Sequence, residues 1–406
     1  MTATAAPRKA ALIFIFVTVA LDILAIGLII PVLPPLIAGF FPNASEGASV
    51  YGWFVTVFAL MQFLASPLLG ALSDRFGRRP VILLSNLGLG LDYIFMAVAQ
   101  TLPLLFLGRV IGGFTSASIA TANAYIADVT PPEKRAASFG MLGAAFGLGF
   151  VIGPAVGGLL GSIDARLPFW VAAGLSLSNF CYGLFVLPES LVEGRHHRFE
   201  WKRANPIGAL LWLKDFPQVF GLAGASFLSV LAHTVFPATF VLYAAHRYGW
   251  SERDIGFTLA FVGVLSALVQ GGLVRRVIPW IGERRALLAG FGFAVLGFIG
   301  YGWAPTGPWL WVVMPLLSLW GLAGPSLQSL MTRQIDPTEQ GRLQGAVASM
   351  GAIAGVLGPY LFTHVYAAGI DPARGGQLPG APYYLAALVV ALALGLGYLA
   401  SRERKA

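Results

Sequence analysis

The chain has 406 residues, of which 57% are apolar and 11% charged, with a formal net charge of +8. A water-soluble domain carries about 25% charged residues, so a soluble globular protein is excluded and an integral membrane protein is indicated. Basic balance alone would also suit a nucleic-acid partner, but the Lys and Arg residues lie in short segments between long apolar runs, a pattern of membrane topology, and no nucleic acid is expected. The single cysteine, Cys181, rules out an internal disulfide.

In chain order, the apolar runs predict twelve membrane-spanning helices. The first six cover Ala10–Phe40, Val50–Leu72, Val81–Gln100, Leu102–Tyr125, Ala136–Leu160 and Pro168–Leu187. The second six cover Val219–Ala245, Ile255–Val274, Arg285–Trp303, Pro308–Met331, Leu343–Ala367 and Pro382–Ala400. Several exceed the ~20 residues that cross a bilayer, so tilts or kinks are expected. Pro31, Pro34 and Pro35 predict a bend at the end of the first. Arg8 and Lys9 before this run imitate a signal peptide, but the run is too long, holds Asp22 and lacks a cleavage site. With the N-terminus inside, 21 of the 26 basic residues fall in cytoplasmic segments and 4 in outer loops. That bias predicts both termini in the cytoplasm.

The halves repeat. Gly77, Pro132, Gly140 and the Gly153-Pro154 pair recur at Gly282, Pro337, Gly345 and Gly358-Pro359, all at an offset of 205. The fold class is therefore an all-α membrane protein of two six-helix bundles related by a pseudo-two-fold repeat. The expected bundles are residues 1–188 and 218–406, joined by a cytoplasmic linker at 189–217. The part of the linker from Trp201 to Phe216 mixes basic and apolar residues and reads as an interfacial helix. His196 and His197 in it read as solvated, not as metal ligands.

Ionisable groups within a bilayer are costly and so are functional candidates. Asp22, Asp92 and Arg109 lie inside the first, third and fourth spans. They fit either a structural ion-pair network or proton coupling, in which desolvation and the nearby arginine oppose each other. The second half has no acid within a span, and His233 is its candidate proton carrier. Gln62, Asn86, Asn179, Gln270 and Gln328 are candidate substrate ligands or interhelical hydrogen-bonding groups. The glycine-rich stretch Gly143–Gly158 has no preceding strand and no following Lys, so it is not a phosphate loop. Within it Gly149, Gly153, Pro154 and Gly157 read as a packed, bendable hinge facing the other half.

Between the second and third spans lies the charged turn Gly70–Pro80, with Asp74, Arg75, Arg78 and Arg79. Gly70 and Gly77 allow close helix approach and a tight turn. Asp128, at the end of the fourth span, is expected to join Asp74 and Arg78 in a cytoplasmic charge network that gates the inner side.

These residues resemble the major facilitator superfamily, in particular its twelve-span drug:proton antiporters. The turn G-A-L-S-D-R-F-G-R-R-P is similar to the loop motif between helices two and three, with Ala71 in place of a frequent basic residue. Gly108-Arg109 and F-G-L-G-F-V-I-G-P-A-V-G-G are similar to the fourth- and fifth-helix motifs, the latter favouring export over import. Strings at Leu21–Pro34, Ala59–Gln62, Leu91–Tyr93, Tyr125–Asp128, Arg247–Trp250 and Leu343–Gly345 resemble Gram-negative tetracycline efflux pumps. The resemblance implies a monomeric, multi-pass bacterial inner-membrane protein that exchanges a drug for protons. It implies no cofactor and no enzymatic activity; a divalent cation enters only as part of a chelated tetracycline. Another drug or a physiological metabolite, such as a sugar or amino-acid derivative, is the alternative substrate. Those pumps carry a His in the eighth helix and an Asp in the ninth, where this chain has Ser266 and Ala294.

Overall fold

A backbone in hydrocarbon has no water to bond, so each apolar run must satisfy its own N–H and C=O groups as a helix. The computed structural model describes residues 6–116, 118–131, 135–190, 213–336, 339–375 and 377–402, and among these there is no strand. The linker residues 191–212, including most of the expected interfacial helix, lie outside the described residues, as do Pro132 and Pro337. In the first half the helices are α1 (Ala6–Ile29), α2 (Leu33–Ala38), α3 (Ala44–Phe76), α4 (Arg78–Val98), α5 (Leu102–Thr115), α6 (Ser118–Val129), α7 (Arg135–Gly161) and α8 (Leu167–Val186). In the second they are α9 (Pro217–His233), α10 (Val235–Tyr248), α11 (Glu252–Leu268), α12 (Val274–Ile281), α13 (Glu283–Trp303), α14 (Gly307–Ser318), α15 (Ala323–Thr332), α16 (Gln340–Ile370) and α17 (Ala381–Ala400).

Eleven of the expected spans are long, apolar helical segments; the expected fourth is the shorter α5 followed by α6. Several spans are interrupted, each for a local reason. After α1 the chain turns at 30–32, where Pro31 has no N–H, and Pro34 and Pro35 open α2. Near the end of α5, Thr115 and Ser116 hydroxyls bond back to the carbonyls of Ile111 and Gly113 at 3.0 and 3.2 Å. Thr234 separates α9 from α10, donating to the Leu231 carbonyl at 2.6 Å, and Pro237 sits in the next turn. A 3₁₀ segment, Leu319–Leu322, separates α14 from α15, with Pro325 in the first turn of α15. Spans one and seven, and four and ten, thus break in pairs. The eighth span runs further than expected, through a π-helical turn at Val269–Leu273 containing Gly271 and Gly272, to Ile281.

Two compact units emerge. One comprises Met1–Leu36, Val57–Trp201 and Ser251–Ala260; the other comprises Ile37–Thr56, Lys202–Trp250 and Phe261–Ala406. In the first unit α1 packs on α7, and α4 on α8. In the second, α17 packs on both α9 and α13.

Lipid tails are as apolar as leucine, so helix association in a bilayer depends on close fit. The α1–α7 contact shows this. A Cβ at Gly153 would lie 2.7 Å from the Gly27 Cα, and one at Gly149 would lie 2.5 Å from the Ile23 Cγ2. One at Gly157 would strike the Leu28 carbonyl. Pro154 and Gly158 meet Glu252 and Gly256 at the start of α11, in the second half of the chain, while Gly149, Gly153 and Gly157 thus face α1 of their own half. Spacing of four residues aligns these glycines on one side of α7, and Pro154 is accommodated within an uninterrupted helix. Gly153→Val should lower the thermal stability of the purified protein by about 1–3 kcal/mol through overpacking. Gly143→Ala, on the same helix with open space around it, should change stability by no more than about 0.5 kcal/mol. Equal losses in the two variants, read as thermal midpoints, would refute the packing role.

Candidate functional site

Inside the first unit, α1, α4 and α8 converge on Asp22, which is 6% exposed. Asn179 of α8 donates from Nδ2 to Asp22 Oδ1 at 2.9 Å and to the Thr18 carbonyl at 2.9 Å. The Asn86 amide of α4, with its nitrogen toward the acid, donates to Asp22 Oδ2 at 3.1 Å and accepts from Asn179 Nδ2 at 3.1 Å. Both asparagines are fully buried. Of the two roles expected of them, substrate ligand or interhelical hydrogen-bonding group, these bonds show the second. A carboxylate in this setting is tolerable because amide donors replace its water. Thr18 Oγ1, Ser176 Oγ and Asn179 Oδ1 lie in the same region, buried and without a hydrogen-bond partner among the described residues.

Asp92, 2% exposed, is seated differently. Its carboxyl fits over two glycines one turn apart on α5: a Cβ at Gly112 would lie 2.6 Å from Asp92 Oδ2, and one at Gly108 would lie 3.3 Å from Oδ1. Only glycine leaves room for the acid at both places. Arg109, between them in sequence, holds its guanidinium 3.9 Å from the centre of the Phe58 ring. Its charge acts on Asp92, and the Tyr93 hydroxyl feels Asp92, Arg109 and Asp22 together. Gln62 of α3 donates to Ser116 Oγ at 3.4 Å.

The second unit has no such cluster among its described residues. Ala294 is fully buried in α13 and Ser266 is half-buried. In place of carboxylates there is an aromatic core: Phe236 stacks on Phe298 at 5.5 Å and meets Tyr301 at 5.5 Å, and Tyr383 meets Tyr243 at 4.8 Å. The exposed His233 lies at the edge of this core, its ring 5.8 Å from Phe236 and 5.6 Å from Trp320. Gln270 is exposed in the π-helical turn and Gln328 is half-buried on α15.

At the end of the first unit, the charged turn folds around Arg78. Its NH1 pairs with Asp74 Oδ1 at 2.5 Å and bonds Ser73 Oγ at 2.6 Å, while Nε pairs with Asp128 Oδ2 at 3.1 Å. The structure thus brings Asp74, Arg78 and Asp128 together, all within one unit. Arg75 is exposed and lies over Phe76. A Cβ at Gly70 would meet nothing within 4 Å, so the close approach expected there is absent; Gly77 has it instead. Gly77 adopts φ 104°, and a Cβ on it would meet Glu189.

Glu189 is the residue that sequence reasoning missed. Its Oε1 accepts from the Arg78 N–H at 2.9 Å and its Oε2 from the Arg79 N–H at 3.2 Å. It caps the first turn of α4, which starts with two arginines against the positive end of its own dipole. Arg79 in turn donates to the Leu184 carbonyl at 2.6 Å. A signal was present: Gly77 has no side chain to cap the helix, so the open N–H groups require a remote acceptor.

The second half carries the mirror of this clasp. Gly282, at the repeat position of Gly77, adopts φ 82° and ψ 153°, against 104° and 154° at Gly77. The repeat positions of Arg78 and Asp128 are Glu283 and Arg333, and these also pair, at 2.6 Å. The geometry is retained and the signs are exchanged. Ser329 adds a 2.6 Å bond to Glu283. Arg78 is 11% exposed and Arg333 70% exposed, so the two clasps differ in worth. Removing Arg78 takes a buried guanidinium from Asp74 and Asp128, whose side chains are 45% and 30% exposed; Arg78→Gln should cost about 1–3 kcal/mol. Arg333→Gln removes an exposed arginine from Glu283, which keeps its bond from Ser329, and should cost about 0–1 kcal/mol. Thermal unfolding of the two variants in one detergent checks this; equal losses would refute the ranking.

The Major Facilitator Superfamily profile matches residues 15–359. Class C tetracycline resistance protein of Escherichia coli is 40% identical over 379 residues, covering 93% of this chain and 95% of that protein. The class B protein of Escherichia coli is 38% identical over 356 residues, covering 85% and 86%. A bacterial homologue of the human lysosomal transporter Spinster shares the fold, with a TM-score of 0.78 at 18% identity over 98% of each chain.

Proposed function

Since the chain belongs to the Major Facilitator Superfamily, we propose that it exports tetracycline, as its complex with a divalent cation, in exchange for protons. It works as a transporter in the bacterial inner membrane with both termini in the cytoplasm, an orientation supported by the 21 to 4 distribution of basic residues. The observation that carries the reading is Asp22, a buried acid whose bonded partners are two amides. Identity of 40% to a tetracycline resistance protein supports the choice of substrate.

Amides suit a carboxyl that changes charge. An Asn side chain offers two N–H donors at one end and a C=O acceptor at the other. Toward the ionised acid Asn86 turns its nitrogen; toward the protonated acid a half-turn presents its oxygen to the new O–H. Asn179 Oδ1, with no partner among the described residues, is a second acceptor in the region. Asp22 can therefore be held in both protonation states without an added counter-charge. Asp92 has the opposite arrangement, with a fixed cation acting on it. The two acids thus sit in different electrostatic surroundings, Asp22 among amides as the carrier and Asp92 beside a fixed cation. The Arg78 clasp, with Asp74 and Asp128, fixes the cytoplasmic ends of α3, α4 and α6 and gates closure on that side.

In liposomes holding the purified protein, tetracycline with Mg²⁺ should drive proton flux, and Asp22→Asn should reduce it to background while tetracycline binding persists. Undiminished flux in this variant would sink the proton role of Asp22. Stripping the divalent cation with a chelator should abolish tetracycline movement. Movement of tetracycline without the metal would contradict the chelate as substrate, and movement of unrelated drugs alone would contradict tetracycline itself.

A further inference from the structure

One end of the second unit contains a cavity of about 1190 Å³ formed by the start of α9, the start of α13, the end of α15 and the end of α17. Its walls are apolar where Leu330, Leu396 and Leu399 contribute, and Leu399 is 63% exposed. Arg284 and Arg402 lie at its border. Both guanidinium groups are held on the ring of Tyr398, with their carbons 5.4 and 4.6 Å from its centre. They are therefore no farther apart than those two distances combined. Arg402 also donates to the Tyr398 hydroxyl at 2.7 Å, and Arg284 Nε donates to Ser401 Oγ at 3.2 Å. Among the described residues neither makes an ion pair, although Asp215 also borders the cavity.

Exposed arginines at helix ends are ordinarily just solvated. This pair differs in two respects. Two cations held on one ring repel each other, and Asp215, which also lines the cavity, forms no ion pair with either among the described residues. Beside them the recess presents apolar surface from Leu330, Leu396 and Leu399, with Gln218 and Gln334 also in its lining. A ligand complementary to both features has a single anionic group and a hydrocarbon tail. We propose that this cavity binds the headgroup phosphate of an anionic phospholipid, with an acyl chain along Leu330, Leu396 and Leu399. Arg284 and Arg402 grip the phosphodiester through their remaining N–H donors, and Tyr398 sets their spacing. The helix ends place the site at headgroup level, where basic recesses between spans take anionic lipids. The site is separate from the buried acids and independent of what the protein transports.

Native mass spectrometry of the full-length protein in detergent, with phosphatidylglycerol added, tests the proposal. Wild type should retain phosphatidylglycerol, and R284Q/R402Q should bind it about a hundredfold more weakly, the loss expected for two charge-assisted contacts. The charge-preserving R284K/R402K should retain most of the binding, which guards against a merely unfolded variant. Phosphatidylethanolamine, with no net charge, should be lost readily. Equal retention of phosphatidylglycerol by R284Q/R402Q, or equal retention of phosphatidylethanolamine by wild type, would overturn the site. Full displacement of the lipid by millimolar glycerol 3-phosphate would show a free-anion site and overturn the lipid.

Discussion

The buried acids and the interrupted helices of this molecule answer to one constraint: hydrocarbon supplies no hydrogen bonds, so a buried polar group left unsatisfied by the protein is costly. Asp22 meets the constraint with amides, Asp92 with a glycine-lined seat and a nearby cation, and the interrupted spans with hydroxyl back-bonds at their breaks. These solutions occupy particular helices. The glycines of α7 that bring α1 close also fix the helix bearing Asp22, so packing and the seating of the buried acid depend on the same contact. A shift of α1 would disturb the acid and its two asparagines together.

The halves share a backbone and differ in chemistry. Left-handed glycines open α4 and α13 at positions 205 apart, and helix breaks recur in spans one and seven and in spans four and ten. Within that common frame, one half holds buried acids and amides, while the other holds stacked aromatics. An aromatic core is rigid and well packed but cannot exchange a proton at ordinary pH. Among the described residues the buried carboxylates thus lie in one half, and the other supplies shape and apolar surface, with His233 at the edge of its aromatic core.

Much of this was legible in the amino-acid sequence, for physical reasons. Twelve apolar runs, the 205-residue offset and the intramembrane acids are composition and spacing, which a linear chain displays directly. Asn86 and Asn179 were recognisable as polar groups in a membrane, but their partner was not, because contact between α4, α8 and α1 is a matter of tertiary geometry. Glu189 was hidden for the same reason: it caps a helix from 111 positions away. The contact of the α7 glycines with α1 was not foreseen, although Pro154 and Gly158 do meet the second half, because a stripe of small residues announces a close contact without naming the neighbour. Gly70 and Gly77 looked alike in sequence, and only Gly77 has the positive φ and close acid that require glycine.

The exchanged charges of the two clasps show what such a repeat preserves. A reading of the second half by residue identity finds the central acid of the turn missing, since Pro279 stands at the position of Asp74. A reading by position finds Glu283 and Arg333 where the first half has Arg78 and Asp128. Coulomb attraction is unchanged when both signs are reversed, so the ion pair survives a swap that abolishes similarity at both residues. The helix dipole does not share that symmetry. At the start of α13 Glu283 agrees with the positive end of its helix and offsets part of the charge of Arg284 and Arg285, whereas the two arginines at the start of α4 have no acid beside them in the helix. The first clasp therefore needs the additional acid, Glu189, and the second does not. The remote cap and the sign of the pair are two parts of one electrostatic solution.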